Sequence, residues 1–277
     1  MTMLASWVGV DTHGQSSAYI VSESRISWHD EQNHKDYYYD FGKKVFAAKN
    51  YPDIFGYAGD VLFPSIALAQ IVEMIDAGIF FTPEMSRDEK HGKVYEKICH
   101  AFSVYPKECS NKIVKILHIS RDSFSGKYPS FSAKVYQWTS RKGWEMVNCD
   151  MPEESGLLFV LGNKEEFMSN YARYQTGPNK DTSRNVFHCF MDTLFNTQRK
   201  DCGGAPQLVG IYRKPNSPAI NLGIIYNKRR YFLGSELTKD AVYDNIKWRN
   251  ELFELTNGST KKRIDSAAEQ PDPLRRH

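Results

Sequence analysis

The 277-residue chain carries five cysteines, Cys99, Cys109, Cys149, Cys189 and Cys202, and their spacing limits the chemistry they can do. No two form Cys-x-x-Cys, so neither a zinc cage nor thioredoxin-like exchange is expected. An odd count at wide spacing fits reduced thiols in a cytoplasm. Cys202, ahead of Gly203-Gly204, has no matched histidine partner and reads as a small buried packing residue. His188-Cys189 lies between Phe187 and Phe190 on an apolar helix face and reads as core. His29 and His34, with Asp30, Glu31 and Asp36, imitate metal ligands in composition, but their spacing matches no standard site. No metal is expected.

The whole chain sets the next limits. A formal net charge of +3 gives no argument for nucleic acid, and the basic run Lys261-Lys262-Arg263 reads as a solvated surface. Hydrophobic and charged fractions of 41% and 25% suit a soluble globular protein. The N-terminus has no positive n-region, and Asp11 breaks its apolar run, so it does not read as a secretory signal. The apolar stretch Val61 to Ile75 contains Gln70 and Glu73 and is too short for a bilayer. A cytoplasmic protein with no membrane partner is the expectation.

The elements follow from periodicity and breakers. Residues 3–10 and 17–26 read as a hairpin around Thr12-His13-Gly14. Residues 29–40, rich in His, Asp and Tyr, read as an irregular connection whose Tyr37-Tyr38-Tyr39 and Phe41 either form an interaction surface or pack the loop down. Strands are expected near 44–48 and 54–59. A helix follows from Asp60 as N-cap, with Pro64 in its first turn and Gly78 past its end. It is apolar on nearly every side, which predicts burial between layers.

A second helix is expected at 86–104, strands at 113–120, 131–138, 143–148 and 157–161, and helices at 164–174 and 183–197. Strands return at 207–213, 219–226 and 230–233. Strands and helices come in separate runs, which predicts an α+β fold, a four-layer αββα sandwich of two antiparallel sheets. Residues 1–257 form the expected domain, with an insertion around 81–110. Residues 258–277 read as a disordered tail.

Three segments in order resemble the proteasome β-subunit-like N-terminal-nucleophile (Ntn) hydrolases. Glu23-Ser24-Arg25-Ile26-Ser27 is similar to that family's Asp-Ser-Arg-x-Thr. Lys43-Lys44-Val45-Phe46 stands in place of its Lys-Val strand. Gly56-Tyr57-Ala58-Gly59-Asp60 is similar to its Gly-x-x-Ala-Gly-Gly. Farther on, Cys202-Gly203-Gly204 resembles its Ser-Gly-Gly, and Gly162-Asn163 stands where a Gly-Ser turn is expected. The departures are Glu23 for aspartate, Asn163 for serine, and Arg199 where a support aspartate is expected, with Asp201 nearby out of register.

The resemblance implies an N-terminal threonine peptidase or amidohydrolase without a cofactor. Thr2, exposed once Met1 is removed, is the candidate nucleophile. A threonine hydroxyl is a weak nucleophile and needs a base. Its own freed α-amine, with a pKa of about 7.7–8.0, can serve. Lys44 would keep that amine neutral, and Glu23 would pair with Lys44. The Gly59 N–H would donate to the oxyanion. Arg25 and Ser27 are the substrate-binding candidates, on a segment that would add an extended peptide as a strand. Implied partners are a peptide or protein substrate, further copies of the chain in a homo-oligomeric ring, and an ATPase that feeds it.

Register leaves alternatives open. Counting back from Val8-Gly9-Val10 puts Ala5 or Ser6 at the active position instead. Ser6 would need trimming after Ala5, and Ala5 would make the chain inert. Lys43 competes with Lys44. A catalytically inactive structural or interaction subunit is the competing function, and a small-amide hydrolase is a third.

Overall fold

The opening strand is buried on both sides. In β1 (Met3–Asp11), Met3, Ala5 and Trp7 face one way and Leu4 and Val8 the other, all at 0% exposure. Side chains alternate along a strand, so a strand with two apolar faces has to lie between two layers. The structure, a computed structural model, describes residues 2–106, 113–122 and 129–267.

After β1 come β2 (Gly14–Ser22), β3 (Ile26–Asp30), β4 (Lys35–Tyr39), β5 (Val45–Ala47) and β6 (Asp53–Gly59). Two helices follow, α1 (Leu62–Asp76) and α2 (Arg87–Ser103). Then come β7 (Val114–Arg121), β8 (Phe131–Thr139), β9 (Gly143–Cys149) and β10 (Gly156–Gly162). A second helix pair is α3 (Lys164–Tyr174) and α4 (Ser183–Asn196). The chain continues through β11 (Gln207–Tyr212), β12 (Ile220–Tyr226), β13 (Arg229–Phe232), β14 (Ser235–Glu236), β15 (Lys247–Arg249) and β16 (Leu255–Thr256).

The first sheet has the order β10-β1-β2-β11-β12-β13-β14, with β15 beside β12 and β16 beside β15. The second has the order β5-β6-β7-β8-β9. Strands β3 and β4 pair only with each other. The expectation of two antiparallel sheets is therefore corrected twice: a separate two-stranded ribbon exists, and β15 runs parallel to β12.

Burial divides into three main apolar cores. Met3, Ala5, Trp7 and Tyr19 pack with Phe167 of α3 and Phe187 and Phe190 of α4. Leu4, Val8 and Ile20 pack with Val45, Ile54, Leu117 and Ile119 of the second sheet. Phe46, Phe55 and Tyr57 on that sheet's other face pack with Leu68, Ile71 and Ile75 of α1 and Val94 and Ile98 of α2. Each Leu, Ile or Phe so buried contributes about 1.5–3 kcal/mol relative to exposure.

Local signals account for the helix ends. Asp60 accepts from Phe63 N at 3.1 Å, the capping contact expected of it, although the helix is counted from Leu62. Ser86 and Glu89 form a reciprocal capping box at the start of α2. Gly78, at φ +70, follows α1. That helix is not buried all round, because Leu62 and Ile66 are 55% and 48% exposed.

Residues 29–40 are not irregular. Ile26 to Asp30 pair with Lys35 to Tyr39 as an antiparallel ribbon, turning at His34 with φ +50. Polar residues and adjacent tyrosines hid the alternation. Trp28, Tyr37, Tyr38, Tyr39 and Phe41 all remain 40–52% exposed. The expected tail is in part placed: Ile264 N donates to Leu255 O and Arg230 Nε to Gly258 O. Residues 268–277 lie outside the described residues.

A polar network is buried where α2 meets the second sheet. Asp53, Lys90, His91, His118 and Tyr136 are all at 0% exposure. Lys90 Nζ lies 3.3 Å from Asp53 Oδ2, and His118 Nε2 lies 3.0 Å from Asp53 Oδ1. Tyr136 Oη is 2.9 Å from His118 Nδ1 and 3.0 Å from His91 Nδ1, and Ser132 Oγ is 2.9 Å from His91 Nε2. With Asp53 ionised, one set of tautomers satisfies these four side-chain links, each group donating toward Asp53 from Ser132 onward, with the one Tyr136 proton given to His118 rather than to His91 O 3.2 Å away. Burial opposes the Asp53 charge, but Lys90 and then His118 hold its carboxyl below the ordinary range. Burial pushes both histidines down.

Candidate functional site

Strand alternation carries Thr2 into the gap between the two large sheets. It stands two residues before Leu4, on the face that packs against the second sheet. It is 4% exposed. Gly162 fixes the approach of the neighbouring strand. At φ +80, a Cβ there would lie 1.6 Å from Thr2 O, a position only glycine fills, and Asn163 N donates to the same carbonyl at 2.8 Å.

Lys44 enters from the chain just before β5. Its ammonium lies 3.2 Å from Thr2 Oγ1 and 2.5 Å from Arg25 O, and it bonds Glu23 Oε1. Three acceptors use all three of its donors. Lys43, its competitor, points the other way, with its ammonium 4.2 Å from the centre of the Phe46 ring.

Glu23 follows β2 and is fully buried. Its Oε1 also accepts from Met3 N at 3.4 Å, and its Oε2 accepts from Arg25 N at 2.6 Å and Gly203 N at 3.4 Å. Burial raises the Glu23 carboxyl above its ordinary range, against the pull of Lys44 and those two N–H groups. One carboxylate thus ties the start of β1, the end of β2 and the 202–204 loop to a single ammonium.

Gly59 ends β6 with φ +98, where a Cβ would lie 2.0 Å from Ile113 O. Tyr57 N donates to Lys44 O, and Asp60 N to Ile113 O. Backbone N–H groups two residues apart in a strand share a side, so the Gly59 N–H points along the Tyr57 side, toward the segment that carries Lys44.

The remaining candidates are placed differently. Ser6 is fully buried within β1 and donates to Phe159 O at 3.1 Å, while Ala5 packs in the first core. Neither meets Lys44. Arg25 forms a two-pronged pair with Asp40 at 2.6 and 2.8 Å and donates to Lys200 O at 2.9 Å, so its guanidinium is held by the protein itself. Ser27 lies on β3 opposite Tyr38 and lines a cleft of about 640 Å³ together with Trp28, Arg199 and Lys200. Arg199 bonds Asp201 at 3.0 and 2.8 Å.

Burial pushes the Cys189 and Cys202 thiols up to about 12, away from nucleophilic thiolate. His188 Nε2 lies 2.9 Å from Leu252 O, and His29 pairs with Asp36 at 2.8 Å across the ribbon. Among the described residues, no helix is long and apolar enough to cross a membrane.

Two contacts had no sequence signal. Asp40 sits in the segment expected to be irregular. Gly203 belonged to a recognised Gly-Gly pair, but its N–H to Glu23 spans 180 residues.

No protein-family profile matches the sequence, and no curated sequence matches it. Solved structures do resemble it. One is Anbu (ancestral beta-subunit) from Yersinia bercovieri, with a TM-score of 0.52, 11% identity, and coverage of 88% of this chain and 89% of that one. Another is an Anbu (Gly-1) mutant from Hyphomicrobium sp. strain MC1, with a TM-score of 0.50, 12% identity, and coverage of 84% and 87%. Likeness at this identity shows the fold alone: a mixed α/β fold similar in outline to these Anbu structures.

The resemblance to proteasome β-subunit-like N-terminal-nucleophile hydrolases is corrected by these neighbours, which are Anbu and share the architecture without close sequence identity. Motifs of a few residues at strand ends and turns serve the backbone path, so they report a topology more than a lineage.

Proposed function

We propose that this chain is an N-terminal threonine hydrolase, a peptidase or amidohydrolase, with Thr2 as nucleophile once Met1 is removed. The observation that carries this reading is the 3.2 Å contact between Lys44 Nζ and Thr2 Oγ1, in a gap where Glu23 holds the ammonium. The three apolar cores support the companion reading of a four-layer αββα sandwich.

The chemistry balances without a cofactor. The free Thr2 amine takes the hydroxyl proton while Oγ1 bonds the carbonyl carbon of the scissile amide. The Gly59 N–H donates to the developing oxyanion. On collapse the C–N bond breaks, and the leaving nitrogen receives the proton from the Thr2 ammonium. Water then attacks the Thr2 ester, giving its proton to the amine; the C–Oγ1 bond breaks, Oγ1 takes that proton back, and the acid product leaves. The Lys44 charge keeps the amine neutral near physiological pH.

Intact mass and a peptide-epoxyketone or peptide-aldehyde probe test this directly. The purified protein should lack Met1, and the probe should label Thr2. Labelling should vanish in Thr2→Ala and fall sharply in Lys44→Ala. Retained methionine without other trimming would leave no free threonine amine and end the proposal.

A second reading, a catalytically silent structural or interaction subunit, is favoured by Arg199, which stands where a support aspartate was expected and is engaged with Asp201. Association of copies of the chain belongs to either reading and is measured by sedimentation.

A further inference from the structure

Gln207, the first residue of β11, is fully buried beside the two ionic residues of the site. Its Oε1 accepts from Lys44 N at 2.9 Å and from Val45 N at 3.3 Å. Its Nε2 donates to Gly42 O at 2.8 Å and to Glu23 O at 3.1 Å. A side-chain amide has two acceptor sites and two donors, and here all four are used. The orientation of the amide is fixed by this pattern, because a flipped group would face N–H to N–H and carbonyl to carbonyl.

We infer that Gln207 is a positioning residue that sets the relative placement of Lys44 and Glu23, and through them the Lys44–Thr2 contact. The inference rests on the threonine-hydrolase reading of that site. Glu23 and Lys44 belong to segments that are not paired with each other as strands. Their side chains meet, and one backbone bond, Gly42 N to Ser24 O at 2.8 Å, joins the segments two residues short of Lys44. Gln207 fixes the two residues themselves, bonding the carbonyl of Glu23 and the amide of Lys44 from a strand already seated beside β2. The bridged segments, residues 23 and 42–45, are the ends of the excursion that carries the β3–β4 ribbon, so the clamp closes that excursion at its base.

Loss of the clamp leaves the Gly42 carbonyl and one or two N–H groups without these partners, leaves Glu23 O with the Ser22 hydroxyl alone, and loosens the Lys44 segment. A displacement of the order of 1 Å at a reacting group can lower turnover by about 10²-fold. The effect belongs to the chemical step, since Gln207 is buried away from the cleft and touches no substrate.

The test uses the full chain with two variants. Gln207→Met keeps the volume and removes every hydrogen bond. Gln207→Glu keeps the shape, can still donate once when protonated, and sets a carboxylate against two carbonyls when ionised. Gln207→Met should lower kcat by about tenfold or more with little change in KM. Gln207→Glu should be equally impaired near about pH 8 and recover, as a ratio to wild type, toward about pH 5, where a carboxyl in such a site regains its proton. A purely structural defect would lower the amount of folded protein without that pH-dependent rescue.

¹³C NMR of the Lys44 side chain, assigned through Lys44→Arg, gives a readout independent of turnover. Its resonance should move in both variants. If wild type shows no Thr2-dependent turnover, the hydrolase reading fails, and a moved Lys44 resonance still supports the clamp. Unchanged kcat and an unchanged Lys44 resonance in both variants would overturn the inference.

Discussion

Lys44 Nζ lies 3.2 Å from Thr2 Oγ1, across 42 residues of chain, and both groups are buried. The ammonium is shielded from bulk solvent at 1% exposure, so its stability depends on Glu23, Arg25 O and the threonine hydroxyl. The same contact that would serve chemistry therefore also serves the fold.

That dependence is measurable. Lys44→Met leaves Glu23 buried without its ion partner and should destabilise the protein by about 3–5 kcal/mol. Adding Glu23→Gln should cost less than the sum of the two single changes, with a coupling of about 1–3 kcal/mol in denaturant unfolding. Strict additivity would mean that the pair is not formed in solution.

Thr2 and Ser6 give opposite expectations. Ser6→Ala removes one buried hydrogen bond to Phe159 O and should cost about 1 kcal/mol while leaving probe labelling intact. Thr2→Ala should abolish labelling and, by leaving one buried Lys44 donor unpaired, cost about 1–3 kcal/mol. Labelling that survives in Thr2→Ala and disappears in Ser6→Ala would move the nucleophile four residues along β1.

Gly59→Ala should damage both stability and turnover. At φ +98 the added Cβ meets Ile113 O, so the end of β6 has to move. The strain corresponds to about 1–3 kcal/mol. Displacing the Gly59 N–H should lower turnover by about 10²-fold, as loss of an oxyanion donor does. Turnover close to wild type would remove Gly59 from the mechanism.

The buried network beneath α2 predicts the pH dependence of stability. Unfolded, Asp53 binds its proton near about pH 3.9, and His91 and His118 near about 6.5. Folded, all three bind theirs at lower pH. The unfolded state thus holds more protons as the solution is acidified, so stability is lost below about pH 6.5 and again below about pH 4. Tm should fall between about pH 7.5 and 5, and His118→Gln should flatten that slope whatever it does to Tm at neutral pH. A wild-type Tm independent of pH across this range would mean that the histidines are not buried neutral.

The amino-acid pattern by itself determined most of the element boundaries and the segregation of strands from helices. The opening hairpin, α3 at residues 164–174, the Asp60 cap and Gly78 past α1 follow from signals within a few residues of one another. Hydrogen bonds between near neighbours depend on local residue types, so such signals survive without knowledge of the fold. The β3–β4 ribbon was missed because its exposed tyrosines and charges show no apolar alternation.

Only the tertiary structure decided which hydroxyl and which lysine meet. Thr2 and Ser6 share a face of β1, and Lys43 and Lys44 are adjacent, so residue type and local period cannot separate them. Pairing of β1 with β2 and β10, and of β5 with β6, sets the choice by register over separations from about ten to more than 150 residues. His91, His118, Lys90 and Gln207 carry no such local signal for the same reason. A polar side chain looks solvated in sequence until distant partners, brought close by packing, satisfy its hydrogen bonds and remove it from water.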